Sequence, residues 1–341
     1  MDADNSPTDA DIARYAEMGA KLLVHHQMWM RCGGSNTYPP ADYIPRNPAD
    51  LARMVKSAHE KGMGVALYMR GVEPWALHMP YWEDLLTKDV DGLYVDWDTP
   101  LAIKSPLGVQ QGCFKPCDEH FCAYDYFRYT KMLRKRVGEG GFLIGHCSSP
   151  VTYLALAVFD GYLAGECSEQ RQHLHDSLDS HVFYTMKNCV GGTVIHMNKP
   201  NRKAMAYSAA TGTSLQNDRG PLWLMWASVP MQDAVIYDSL TENLKVLEFS
   251  AKNIQGCVFR ISREQCLITV ANLGEKPAGG VMTIDMPAIG LVGEYGVTHM
   301  SVAKDGHNLK VREAGKTSGR IRIEKLAGYS FCAYKLNRKQ V

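Results

Sequence analysis

The run Asp91-Gly92-Leu93-Tyr94-Val95-Asp96-Trp97-Asp98 decides the fold. Apolar residues follow a glycine and stop at carboxylates, the pattern of a short buried strand that hands Asp96 to its C-terminal edge. A second run has the same pattern: Asp160-Gly161-Tyr162-Leu163-Ala164-Gly165-Glu166 ends on Glu166.

Toward the N-terminus, residues 8–19 read as a helix with Thr8 as N-cap and Gly19 as stop, and residues 20–26 as a strand. Asn47-Pro48 opens a helix running to about residue 61, and residues 64–70 form the next strand. Toward the C-terminus, helices are expected over residues 124–137, 178–187 and 202–211, and a helical turn over 80–88. Strands are expected over 141–147 and 191–197, with a short last one within 212–217. Residues 221–237 read as a long apolar helix with Pro230 near its middle. Strands alternating with helices predict a parallel sheet closed as a (β/α) barrel, an α/β fold.

From about residue 254 the pattern changes to short alternating runs, 256–261, 266–271, 280–285 and 321–323, separated by Gly, Pro and Asn turns. That spacing predicts an all-β sandwich. The expected organisation is a catalytic barrel over residues 1–245 and a C-terminal β-sandwich over 246–341. A chain of 341 residues accommodates a barrel of about 250 residues and a small β domain.

Thirty-seven lysines and arginines nearly balance 36 aspartates and glutamates, so no global field draws the protein to nucleic acid or to an anionic membrane. The balance suits a neutral partner such as a carbohydrate. No apolar run is long enough for a transmembrane helix, and the start Met1-Asp2-Ala3-Asp4-Asn5 is acidic where a signal peptide would be basic. Ten cysteines are too few for a disulfide scaffold, and Cys147, Cys167, Cys266 and Cys332 sit in apolar, strand-like surroundings that suit reduced thiols.

The strand ends deliver His25 and His26, Arg70, Asp96 and Asp98, His146, Glu166 and His196. In a parallel barrel the C-terminal edges of the strands build the active site, so these groups converge on one bowl. His25 and His26 are adjacent and point to opposite faces, so at most one of them enters it. Two carboxylates at one edge suit glycosidic-bond hydrolysis, which needs one ionised and one protonated acid. Asp96 is the expected ionised partner, supported by Arg70, with Asp98 as its rival, and Glu166 is the expected proton donor. Tyr68, Trp97 and Trp75 offer flat apolar faces on which sugar rings rest.

Cys113, Cys117, His120 and Cys122 are zinc-type residues, but their spacing matches no standard framework, and no metal or cofactor is expected. Gly33-Gly34 and Gly191-Gly192 belong to no phosphate-binding pattern. The absence of a Gly-x-Ser-x-Gly elbow argues against a serine hydrolase.

The strand Gly92-x-Tyr94-x-Asp96, followed two strands later by the acid that ends residues 160–166, resembles the retaining α-galactosidase-like glycoside hydrolases. The resemblance implies a (β/α)8 barrel with a C-terminal β-sandwich, an aspartate nucleophile ending strand four and a carboxylate acid/base ending strand six. Carried over, Asp96 is the nucleophile and Glu166 the acid/base, with His25, Tyr68, Arg70, Trp97, Asp98, His146 and His196 around the sugar. Glutamate in place of the family's usual aspartate implies a side branch. Asp96 ends the third strand of this sequence rather than the fourth, which implies that the first barrel strand is missing from the chain. Two other readings stand beside this one. The first is a barrel that binds carbohydrate without turnover. The second is a metal-dependent hydrolase using His25 or His26, His146, His196 and Asp96 as ligands.

Overall fold

The computed structural model describes residues 6–26, 29–30, 44–70, 89–96, 123–146, 158–164, 177–185, 193–196, 202–215, 220–231, 234–238 and 245–338. By packing, the chain forms two compact units, residues 1–167 with 190–193 and residues 168–189 with 194–341.

In the first unit, β1 (Leu22–His25), β2 (Gly64–Arg70), β3 (Gly92–Asp96), β4 (Phe142–His146) and β5 (Gly161–Ala164) pair in parallel, each with the next. Among the described residues, three helices accompany them: α1 (Asp9–Glu17), α2 (Pro48–Glu60) and α3 (Ala123–Val137). Thr8 and Asp11 close a capping box on α1, while Asn47 caps α2 with Pro48 in its first turn. Leu51, Met54, Val55 and Ala58 are the buried stripe of α2, spaced to lie on one helical face, and α2 packs on β2. Arg53 ties the two helices together, reaching Asp50 at 2.7 Å and Asp9 at 2.5 Å.

The Asp-Gly pair that opens β3 and β5 has one structural job in both places. Asp91 Oδ2 accepts the Val65 backbone N–H of β2 at 2.7 Å and meets Nε2 of His59 on α2 at 2.8 Å. Asp160 Oδ2 accepts the Leu143 N–H of β4 at 2.7 Å and the Arg134 guanidinium of α3 at 2.5 Å. Each carboxylate thus joins the preceding strand to the helix that leads into that preceding strand. At Gly92, a Cβ would lie 2.0 Å from the carbonyl oxygen of Phe142, so only glycine lets β3 and β4 approach.

The second unit carries α4 (Leu178–Thr185), α5 (Arg202–Thr211) and α6 (Pro221–Ala227). β6 (Thr193–His196) and β7 (Ser214–Leu215) pair in parallel through Ile195 and His196. The remaining strands are antiparallel: β8 (Val235–Asp238), β9 (Leu247–Phe249), β10 (Ile254–Arg260), β11 (Gln265–Asn272), β12 (Ala278–Ile284), β13 (Tyr295–Val302), β14 (Leu309–Thr317), β15 (Arg320–Leu326) and β16 (Ser330–Asn337). Six of them form a sheet in the order β14-β13-β16-β11-β10-β8, and three a second sheet, β15-β12-β9. The two sheets enclose a core that includes Val258, Ile268, Met282, Ile323 and Tyr334. The opposite face of the larger sheet is covered by α5 and α6, whose Ala206, Ala209, Leu222 and Trp226 pack against Phe259, Leu267 and Phe331. With cover on both faces, β11 is buried from Cys266 to Asn272, which explains its unbroken apolar run.

The expected helix over residues 221–237 is two elements. α6 stops at Ala227, the chain turns through Pro230, and β8 begins at Val235. Proline has no N–H to continue a helix, and the β-branched and aromatic run Val235-Ile236-Tyr237 pairs with β10 instead. β13, β14 and β16 lie outside the strands expected from sequence; β14 is exposed along nearly its whole length and carries no alternation to read. Cys257, Cys266 and Cys332 are buried free thiols, and burial pushes the last two up to about 12. Cys147 and Cys167 lie outside the described residues, as does the expected turn over 80–88. No helix among the described residues is long and apolar enough to cross a membrane.

Candidate active site

Parallel register sets the site. Tyr68 stands opposite Tyr94, which stands opposite Ile144, and Arg70 stands opposite Asp96. Because side chains alternate along a strand, Tyr68, Tyr94, Asp96 and His146 share one face of the sheet, while Leu67, Val95 and Leu143 face the other. Asp96 is only 6 % exposed and His146 1 %. The Tyr68 hydroxyl donates to Asp96 Oδ2 at 2.8 Å, and Nδ1 of His146 contacts Oδ1. The same Nδ1 lies 2.8 Å from the Tyr94 hydroxyl. With its proton on Nδ1, His146 donates to the carboxylate, and both Asp96 oxygens are then held by donors from the two flanking strands.

Aromatic rings surround this carboxylate. Tyr68 and Tyr94 stack with centroids 5.9 Å apart, and the His26 ring, past the end of β1, lies 4.5 Å from Tyr68 and 5.6 Å from Tyr94. The Trp29 indole N–H fixes the β2 backbone by donating to the Tyr68 carbonyl at 3.1 Å.

His25 takes the opposite face. Its Nε2 lies 3.2 Å from Ser6 Oγ, and burial lowers its pKa to about 4 although the Asp50 carboxylate pulls the other way. The histidine that the structure brings to the rings beside Asp96 is therefore His26, just past β1. Tyr68, expected as a platform for a sugar ring, is a hydrogen-bond donor to Asp96. Tyr94 entered the sequence reading only as part of the strand motif. The signal that finds both is parity counted back from Asp96 and carried across the sheet by register.

Arg70 is opposite Asp96 in backbone register, and its side chain lies outside the described residues, as does that of His196 at the end of β6. Trp75, Trp97, Asp98, Glu166 and the Cys113, Cys117, His120 and Cys122 cluster also lie outside them. Among the described residues, no group of three or more His, Cys, Asp or Glu side chains is placed to hold a metal ion.

No protein-family model matches the chain, and no curated protein does. Solved structures do resemble it. A noncanonic maltogenic α-amylase from Thermotoga neapolitana is 13% identical with a TM-score of 0.54, over 97% of this chain and 94% of that one. A GH27 β-L-arabinopyranosidase from Geobacillus stearothermophilus is 12% identical with a TM-score of 0.53, over 99% and 95%. α-Galactosidase I from Mortierella vinacea is 10% identical with a TM-score of 0.53, over 97% and 92%. These structural neighbours are glycoside hydrolases with a TIM barrel and a β-sandwich, and at such identities the likeness is one of fold.

Proposed function

We propose that this chain is a glycoside hydrolase that cleaves O-glycosidic bonds with retention, using Asp96 as nucleophile and Glu166 as acid/base. The observation that carries the reading is the buried Asp96 carboxylate at a strand's C-terminal end, accepting hydrogen bonds from Tyr68 and His146. The glycoside-hydrolase fold of the neighbours supports it. The substrate is a carbohydrate. In this reading the catalytic part is a (β/α)8-type barrel within residues 1–245 that lacks its first strand, and the β-sandwich of residues 246–341, which β8 joins, follows it.

In the first step, Asp96 attacks the anomeric carbon while Glu166 gives its proton to the departing oxygen; the glycosidic C–O bond breaks and a glycosyl ester forms. In the second, Glu166 takes a proton from water, which attacks the same carbon, and the Asp96 carboxylate leaves. Tyr68 and His146 fix the plane of the carboxylate before attack and stabilise the charge that returns to it when the ester breaks. His26 supplies a ring face, Tyr94 holds the His146 imidazole, and Arg70, Trp97, Asp98 and His196 are further substrate contacts in this proposal.

A panel of aryl α- and β-glycosides tests it with wild type and Asp96→Ala, the variant assayed with and without azide. The expected result is hydrolysis by wild type, none by the variant, and azide rescue giving a glycosyl azide of inverted configuration. An Asp96→Ala variant as active as wild type would overturn the assignment and turn attention to Asp98.

A further inference from the structure

Far along the chain from Asp96, within the second unit, a groove of about 1280 Å³ is lined by β12, β13, β14, β15 and β16. Its origin is topological. β14 ends the six-stranded sheet and β15 ends the three-stranded one, joined by the tight turn in which Thr317 Oγ1 accepts the Arg320 N–H at 2.9 Å. The chain crosses from one sheet to the other there, and the two edge strands flank an open channel.

The lining has two chemistries. Val297, Ile321, Ile323 and Tyr334 supply a buried apolar floor. The exposed part carries five lysines and arginines against two glutamates. Arg312 is engaged by Glu324, and Lys316 by Glu294 at 2.6 Å. Arg320, Arg322 and Lys325 are exposed and make no ion pair among the described residues, which leaves the groove cationic. Tyr334 is 2 % exposed, yet among the described residues its hydroxyl makes no hydrogen bond of good geometry, the weakly accepting Cys332 thiol being its polar neighbour. The His299 ring, 5.1 Å from that of Tyr334 and 4 % exposed, has no hydrogen-bond partner on either nitrogen among the described residues. Buried polar atoms without partners are rare in folded proteins and call for a physical reason.

We infer that this groove binds an anionic oligosaccharide, a sugar chain bearing carboxylate or sulfate groups. Arg322 and Lys325 meet the anionic groups, the apolar floor takes the ring faces, and the Tyr334 hydroxyl pairs with a sugar hydroxyl. The carbohydrate half of the inference rests on the glycoside-hydrolase reading; the anionic half rests on the groove. An acidic peptide adding itself as a strand is the rival occupant. It is disfavoured because the β14 edge carries Lys310, Arg312, Glu313 and Lys316, and its pairing with β13 is irregular at Gly296 to Thr298 of β13, features that oppose strand addition.

The test is calorimetric titration of the full chain, as wild type and as Asp96→Asn, so that binding is read without turnover. The titrants are tetragalacturonate, a sulfated galactose tetrasaccharide, neutral maltotetraose, inorganic sulfate and a glutamate-rich octapeptide. Binding of either acidic tetrasaccharide, equal in wild type and Asp96→Asn, is expected. Arg322→Gln with Lys325→Gln should weaken it about ten-fold, and Tyr334→Phe, which keeps the buried ring and so the fold, about three-fold. Three results would each overturn the inference: no acidic sugar binds, maltotetraose or sulfate binds as tightly, or the peptide binds in preference. The aryl glycoside panel reads the strand-end site separately, so loss of one reading is distinguishable from loss of the other.

Discussion

The Tyr68 hydroxyl reaches forward along its strand to Oδ2 of Asp96, 2.8 Å away, although its own neighbour in register is Tyr94. A donor on a nucleophilic carboxylate stabilises it before attack, loses that contact when the ester forms, and recovers it when the ester breaks. Removing the donor therefore favours the first step and slows the second. Tyr68→Phe is expected to lower kcat roughly ten-fold, lower KM with it, and produce a burst of aryl alcohol in stopped-flow. A variant with unchanged KM and no burst would count against Asp96 as nucleophile.

His146 meets Asp96 and Tyr94 through one nitrogen. Tyr94 then acts on Asp96 through the imidazole, which makes it a positioning residue. Tyr94→Phe is predicted to cost less than about ten-fold in kcat with wild-type His146 and nothing further in a His146→Ala background. Additive losses in that double-mutant cycle would show that Tyr94 touches the substrate on its own account.

The Asp-Gly pairs make a different prediction. Asp160→Ala leaves the Leu143 N–H without its acceptor and takes from the Arg134 guanidinium its one charged partner, the Val158 and Gly141 carbonyls remaining, and is expected to cost about 1–3 kcal/mol in urea unfolding while kcat stays within about two-fold. A large fall in kcat at unchanged stability would mean that the pair serves the site rather than the sheet.

This distinction shows what could be read from the chain and what could not. The recurrence of Asp-Gly before a tyrosine-bearing apolar run located β3 and β5, but the meaning of its first residue is tertiary: Asp91 and Asp160 find partners on a helix and a strand that no local pattern names. Strand ends were legible because glycine, an apolar run and a polar stop coincide at Asp96 and His146. The choice between His25 and His26 was not, since it depends on which residue of β1 pairs with Leu67, a property of register. Apolar content alone made residues 221–237 read as one helix; the proline and the open edge of β10 divided them.

His25 offers the last prediction, on the far face of β1. Burial is the larger influence on its imidazole, outweighing the attraction of Asp50, and its pKa falls from 6.5 to about 4. The unfolded chain takes up a proton near pH 6.5 that the fold refuses until about pH 4, so the protein gains unfolded-state protonation as the medium is acidified between those values. Stability from this residue is therefore complete above pH 6.5, declines as pH falls through that window, and levels off below it, with a total on the order of 3 kcal/mol at most. His25→Gln keeps a polar side chain near Ser6 and removes the titration. Urea midpoints at pH 7, 5.5 and 4.5 should fall more steeply for wild type than for this variant, the gap between them narrowing toward acid. Parallel slopes would place the acid sensitivity elsewhere in the chain.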